Sequence, residues 1–304
     1  MATSTNLQGG GMSVLQSTPA GMPKNRRRRP LLVLRRTILP HAALSLLGLI
    51  FLFPFIWLLL TSLKNPSEIF QVPPAFFPEK WQWSNYGNAI GSIPFFLYMG
   101  NTLLLCAVNI VGQLFSAPLV AYSITKIPWR GRGIIFSLVV ATMILPAQVQ
   151  MIPVYIIFAK LGWINTFLPL TIGSFFGAPF YIFLLRQFMM GIPGELCEAA
   201  KMDGASELRT YGQIIVPLLK PPLMTIALFT FVGTYTDFMG PLIYLNDNTK
   251  WTITVGLQGF LQDHGAQWEL LMAASAIFTI PMVVLYFFGQ KYFMKAGSTL
   301  SGFK

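Results

Sequence analysis

The sequence predicts an all-α, polytopic membrane protein with six transmembrane helices and one long polar loop between the fourth and fifth. Three observations lead there. The chain is 54% hydrophobic and only 10% charged, whereas a soluble domain carries about 25% charged residues. Residues 37–63, 133–159, 161–185 and 270–290 each contain no Asp, Glu, Lys or Arg, and each is long enough to cross roughly 30 Å of hydrocarbon, which takes about 20 helical residues. With the N-terminus placed in the cytoplasm, 17 Lys and Arg fall inside and 4 outside (Lys64, Lys80, Lys160 and Lys250), the bias of the positive-inside rule. A bilayer supplies no water for exposed backbone groups, and no run of ten-residue alternating strands appears, so the spans are helices rather than a barrel.

Taken in order, residues 1–30 form a basic cytoplasmic tail, rich in Gly, Ser, Thr, Gln and Pro up to residue 25 and expected to be disordered. Its basic residues sit at its end, and the apolar run behind them is too long for a cleaved leader. Beside a hydrophobic span, the arginines at 26–29 read as a topology signal rather than a nucleic-acid patch. The first span covers 38–63, with Pro54 as a kink site. An outer loop over 62–95 carries Pro66, Pro73, Pro74, Pro78 and Pro94; its Trp81, Trp83 and Tyr86 suit the headgroup layer. The second span covers 96–124, and a basic turn over 126–133 brings Trp129 to the inner interface. The third span, 133–159, holds Pro146 and Pro153 around Gln148 and Gln150. A proline frees a carbonyl that only protein or water can satisfy. Two readings stand: a helix facing a bundle interior or cavity, and a structural kink capped by the glutamines. The fourth span covers 161–185 after a tight turn at 161–166. The fifth covers 222–245, with Asp237 near its outer end. After an outer loop over 246–267, Trp268 and Glu269 open the sixth span, 270–290, and Lys291 and Tyr292 close it. Residues 296–304 form a short cytoplasmic tail.

Several chemistries are excluded. Cys106 lies within the second span and Cys197 in the polar loop, at depths that preclude a disulfide. The two histidines are His41 and His264, so neither a metal site nor Cys-His catalysis is expected. No Gly-x-x-x-x-Gly-Lys-Ser/Thr sequence occurs, so the phosphate-cradling loop of an ATPase is missing and the chain is not read as an enzyme.

The loop over 191–217 is the most informative segment. Pro193-Gly194 ends the fourth helix. Residues 195–203 are strong helix formers, and Gly204 stands where a left-handed residue would close that helix. Ser206 is an N-cap for a second helix, with Glu207 in its first turn. Leu208, Tyr211 and Ile214 or Ile215 fall at helical spacing on one apolar face, and Pro217 ends the pattern. The paired small residues Ala199 and Ala200 let a partner approach closely, while Glu198 and Asp203 can pair with it. An amphipathic hairpin resting on lipid headgroups fits this pattern equally well.

Glu198-Ala199-Ala200, three residues, Gly204, nine residues, Ile214, then Val216-Pro217 resembles the signature of bacterial ABC-importer permeases, with Val216 where Leu is usual. Asn101-Thr102, Ala121-Tyr122, Leu145-Pro146…Met151-Ile152-Pro153, Leu161-Gly162…Asn165-Thr166, Asp237-Phe238…Pro241-Leu242-Ile243 and Gly297…Gly302-Phe303-Lys304 are similar to the carbohydrate-uptake, maltose-permease-like branch. The likeness runs over about residues 30–304. It implies a permease domain over 31–295 in a bacterial inner membrane, both termini cytoplasmic. It also implies an ATPase-coupling helix built on Glu198, Ala199, Ala200, Asp203, Gly204, Ile214 and Pro217. The implied partners are a second permease chain (in this branch usually a different one), separate ABC ATPase subunits that hold ATP and Mg, and an extracytoplasmic substrate-binding protein. The branch usually carries Trp-Asn before the Asp of span five; Tyr235-Thr236 stand there in this chain, which leaves the sugar open.

Candidate path residues are the polar and aromatic groups within spans: Asn101, Asn109, Gln113, Gln148, Gln150, Tyr181, Tyr235 and Asp237. Each is suited to hydrogen bonding or stacking with a sugar; helix–helix bonding is the favoured reading of any single one, except Asp237, because an ionisable group within a span is functional by default. An ion- or proton-coupled secondary transporter is the alternative; it calls for charged relays near the midplane, where Asp237 alone qualifies, and poorly.

Overall fold

The computed structural model describes residues 38–262 and 266–301; the N-terminal tail, His264 and the last three residues of the chain lie outside them. Every regular element among the described residues is helical. The chain divides into two compact units, residues 1–53 and 54–304. The described part of the first is the opening of α1 (Leu39–Ser62), an apolar helix with Pro54 in its interior.

The second unit is organised by α2 (Phe95–Thr125), 31 residues long and hence about 46 Å at 1.5 Å per residue. It is followed by α3 (Arg132–Thr142), α4 (Ala147–Lys160), α5 (Pro179–Met190), α6 (Glu195–Met202), α7 (Lys220–Tyr235) and α8 (Trp268–Ser301). α7, α5 and the 3-10 turn Ile172–Phe176 pack around α2. Two apolar clusters sit at its ends. One joins Ala121 and Tyr122 to Ile182, Leu185, Ile215 and Leu219. The other joins Phe95 and Tyr98 to Ala89, Ile253, Phe260 and Ala273.

Leu39–Ser62, Phe95–Thr125, Leu168–Met190 and Trp268–Gln290 are each long and apolar enough to cross a membrane, and two bent pairs bring the number to six if each is one span. The bends correct the expected outline. The third span is two helices, α3 and α4, meeting at 101°. Pro146 precedes α4 with an extended ψ of 136°, whereas Pro153 lies inside α4 without ending it. The fourth span runs over 168–190, displaced towards the C-terminus, and is interrupted at Gly177. The fifth reaches spanning length only as the bent pair Glu207–Leu218 and α7, since α7 by itself has 16 residues; helix stops at Tyr235, and Met239–Tyr244 forms a separate short helix. Asp237 Oδ1 accepts the Gly240 N–H at 3.1 Å, closing that break locally. The sixth helix does not stop near Tyr292 but continues to Ser301; Gly297 costs such a helix only about 1 kcal/mol, and no proline follows.

The interruption at Gly177 explains a polar stripe on α2. Asn109, Gln113 and Ser116 are all buried and recur at spacings that keep one face of the helix. Ser174 Oγ donates to Asn109 Oδ1 at 2.5 Å, Asn109 Nδ2 donates to the Leu170 carbonyl at 3.1 Å, and Gln113 Oε1 accepts the Ala178 N–H at 2.9 Å. Ser116 Oγ donates to the Ser174 carbonyl at 2.8 Å. Backbone freed from helix in an apolar surround must find such partners. Gly177 has φ +77°, and a Cβ there would stand 3.2 Å from Ala117 Cα. Only glycine permits both the turn and the contact.

Candidate functional site

The polar loop folds as a capped hairpin. Gly204 N donates to Lys201 O at 3.0 Å and Ala205 N to Ala200 O at 2.9 Å, with Gly204 at φ +77°. This is the paired C-terminal closure that needs a left-handed residue. Ser206 Oγ then accepts the Arg209 N–H at 3.3 Å, capping the helix that starts at Glu207. That helix runs Glu207–Thr210, widens through a π turn over Tyr211–Ile215, and continues as Val216–Leu218. Pro217 therefore does not end it; the chain turns at Leu219, bending 77° into α7.

The hairpin has an inner and an outer face. Cys197 and Ala200, three residues apart on α6, are buried, and Cys197 and Ile215 belong to the cluster at the Tyr122 end of α2. Glu198, Ala199, Asp203 and Gly204 are exposed, as is Pro217, while Ile214 is half-buried. The expectation that both alanines face outward is thus corrected: Ala199 does, Ala200 does not. Leu208, expected to share one apolar face with Tyr211 and Ile214 or Ile215, is 77% exposed whereas Ile215 is buried, and Met202 is 89% exposed. The 3.6-residue period places Cys197 and Ala200 together but does not say which face turns inward, and Met202 carries no sequence signal beyond its helix propensity.

A bridge spans the two helices of the hairpin and α2. Lys201 Nζ lies 2.7 Å from Glu207 Oε1, and Tyr122 Oη donates to Glu207 Oε2 at 2.8 Å. The rings of Tyr122 and Tyr211 lie 5.3 Å apart. Hydrogen bonds from the Lys201 ammonium and then from Tyr122 hold the Glu207 carboxyl below the usual carboxylate range, and the same carboxylate raises Lys201. Sequence reasoning placed Glu207 only at a helix dipole; a pairing across six positions, with a turn between, leaves no periodic signal.

The path candidates separate into two groups. Gln148, Gln150 and Asp237 line one cleft of about 410 Å³ with Leu145, Met151 and Tyr244. Asp237 also borders a smaller cavity of about 110 Å³ that reaches Asn109 and Thr234. The others are engaged elsewhere. Asn101 Nδ2 donates to the Thr249 and Trp251 carbonyls at 3.0 and 2.9 Å. Gln113 holds the Gly177 break. Tyr235 is fully buried and donates to the Phe278 carbonyl at 2.7 Å, with its ring stacked 4.5 Å from that of Phe278. Tyr181 packs against the cluster at the Tyr122 end. Among the described residues no group of three His, Cys, Asp or Glu could hold a metal ion.

Spanning helices, a structured hairpin between the fourth and fifth, and a polar cleft beside a broken span define a multi-pass membrane permease. The chain belongs to the family described as binding-protein-dependent transport system inner membrane components, whose model matches residues 114–296 and so includes the whole hairpin. It is 31% identical over 263 residues to the arabinooligosaccharides transport system permease protein AraQ of Bacillus subtilis (strain 168), covering 85% of this chain and 92% of that protein. It is 28% identical to the diacetylchitobiose uptake system permease protein NgcG of Streptomyces coelicolor, covering 88% of this chain and 89% of the other. Among solved structures, a bacterial ABC transporter involved in the import of the acidic polysaccharide alginate matches with a TM-score of 0.75 and 25% identity, over 90% of this chain and 100% of that one. The chain is a permease subunit of a binding-protein-dependent ABC importer. It is not an enzyme: ATP is hydrolysed by separate subunits.

Proposed function

We propose that this chain, with a second permease, encloses the translocation path for a sugar or oligosaccharide, and that its hairpin over 191–217 docks on an ABC ATPase that holds ATP and Mg. Both termini lie in the cytoplasm, on the side where 17 of 21 Lys and Arg gather. The outer face of the hairpin, with Glu198, Ala199 and Asp203, meets the ATPase; Gly204 shapes the turn, and Ile214 and Pro217 set its second arm. Closure of the ATPase pair displaces α6 and opens the path to the externally delivered sugar. Gln148, Gln150 and Asp237 supply hydrogen bonds in the cleft and Tyr244 an aromatic surface, the combination a sugar ring needs. Relatives named for arabinooligosaccharides and diacetylchitobiose, and a structural neighbour that imports alginate, support carbohydrate as the cargo.

One observation carries this reading: the family's loop pattern falls on a capped hairpin whose Glu198, Ala199 and Asp203 are exposed while Glu207 on its second arm is bonded to Tyr122 of α2. The test is purification of the tagged chain from its native membrane. An ABC ATPase should be recovered with it, and sugar uptake should follow ATP rather than the proton gradient. The sugar is then read from which oligosaccharides bind the cognate binding protein. Uptake that survives ATP depletion and collapses with an uncoupler, with no ATPase recovered, would return the chain to the secondary-transporter reading.

A further inference from the structure

We propose that Glu207 is a positioning residue that transmits displacement of the docking helix α6 to the spanning helix α2, by holding Lys201 with one carboxylate oxygen and Tyr122 with the other. The inference rests on the coupling role proposed above and names the part that carries the motion inward. Docking moves α6, but nothing in docking itself says which spanning helix responds. Van der Waals packing of Cys197 within the cluster resists compression but slides under shear. The two bonds to Glu207, at 2.7 and 2.8 Å, are directional, and charge assistance makes such bonds short and strong. They also act in series: Lys201 lies on α6, Glu207 opens the second arm, and Tyr122 lies on α2. The ring of Tyr211 against Tyr122 keeps the phenol aimed at the carboxylate.

The destination fits. From Tyr122, α2 runs 13 residues back to Asn109, about 20 Å at 1.5 Å per residue. Asn109 borders the same small cavity as Asp237, which in turn lines the larger cleft. A shift imposed at Tyr122 on a continuous helix therefore arrives beside the proposed path. The pair Lys201–Glu207 is about half exposed at both side chains. An ion pair in that setting adds little stability, so a purely structural role accounts poorly for a carboxylate whose two oxygens are both committed across three elements.

The experiment uses the assembled importer in proteoliposomes, with its binding protein and ATP, and reads sugar transported per ATP hydrolysed. Glu207→Ala and Tyr122→Phe should each lower that ratio about tenfold, within the range of site-to-site coupling in proteins, while ATP hydrolysis and ATPase retention stay within about twofold. The double variant should be no worse than either single, because both remove one link. Glu207→Gln keeps an acceptor and should fall between. An unchanged ratio in both single variants overturns the proposal. So does a parallel fall of transport and hydrolysis, the mark of a structural loss. Should Glu207→Ala fail to assemble, Tyr122→Phe, which removes one oxygen and keeps the ring, decides by the same ratio. Failure of the parent reading looks different: the unsubstituted chain would then retain no ATPase at all.

Discussion

Ser174 donates to Asn109 at 2.5 Å, joining the 3-10 turn before Gly177 to the middle of α2. A residue that reads as a candidate for touching sugar thus serves first to seal a break in a neighbouring span.

Asn109→Leu follows from this. An interhelical hydrogen bond in a bundle is worth about 0.6 kcal/mol on average. Here, however, the substitution would leave the Leu170 carbonyl and the Ser174 hydroxyl short of partners, and orphaning a buried group costs about 1–3 kcal/mol. The larger figure should win, because Asn109 is buried. Thermal unfolding in detergent should show reduced stability, with the sugar preference of residual transport unaltered. An altered preference at native stability would move Asn109 back into the path.

Two glycines with the same φ of +77° should behave oppositely. At Gly204 a Cβ meets nothing within 4 Å, whereas at Gly177 it meets Ala117 Cα at 3.2 Å. Asn tolerates the left-handed region, so Gly204→Asn should keep both membrane insertion and uptake. Gly177→Asn should lose folded protein, since overpacking alone costs about 1–3 kcal/mol. Gly204→Asp adds a charge to the docking face and should abolish uptake with insertion intact. Immunoblots of membranes, with uptake measured beside them, separate the three outcomes.

The capped hairpin was legible from sequence because its signals are local: Gly204 and Ser206 sit where backbone chemistry demands them. The helical class and the existence of the spans were legible because lipid imposes them on composition. Of the breaks, the one at Pro146 was legible as a kink, and the one at Gly177 was not. Residues 161–185 carry no charge, so no charge marks Gly177, and its necessity appears only when Ala117 is seen against it. Asp237 reads as a charge near the end of a span; that it caps a break after Tyr235 depends on the Gly240 N–H. The inward choice of Ala200 over Ala199 is a tertiary decision, and so is the Lys201–Glu207–Tyr122 bridge, whose members are six and 85 positions from the carboxylate.

Gln148→Lys probes the cleft. Gln148 is exposed and lines the cavity with Asp237, so a lysine there should leave the fold intact and place a strongly hydrated cation where a neutral sugar must pass. The kcat/KM for uptake should fall about tenfold, equivalent to about 1.4 kcal/mol, with ATPase retention unchanged. Asp237→Asn keeps an oxygen for the Gly240 N–H and removes the charge, so it should alter KM while sparing expression. Kinetics of labelled-sugar uptake that match the unsubstituted chain in both cases would show that this cleft is not the path.

Met202→Asp and Ala200→Asp, two residues apart on α6, separate the docking reading from a hairpin lying on lipid headgroups. Met202 is 89% exposed, whereas Ala200 is buried. Ala200→Asp forces a carboxylate onto the buried face of α6 and should cost folded protein, because a buried charge without a partner is strongly disfavoured. Met202→Asp costs the isolated chain almost nothing. If an ATPase covers Met202, however, the lost apolar burial is worth about 1.5–3 kcal/mol, and retention of the ATPase on the tagged permease should drop by roughly tenfold or more. If the hairpin instead rests on lipid, Met202 is a membrane anchor: the variant should loosen the loop from vesicles and leave ATPase retention where it was. Pull-down yield, set against protease accessibility of the loop in empty liposomes, therefore assigns the outer face of α6 to one surface or the other.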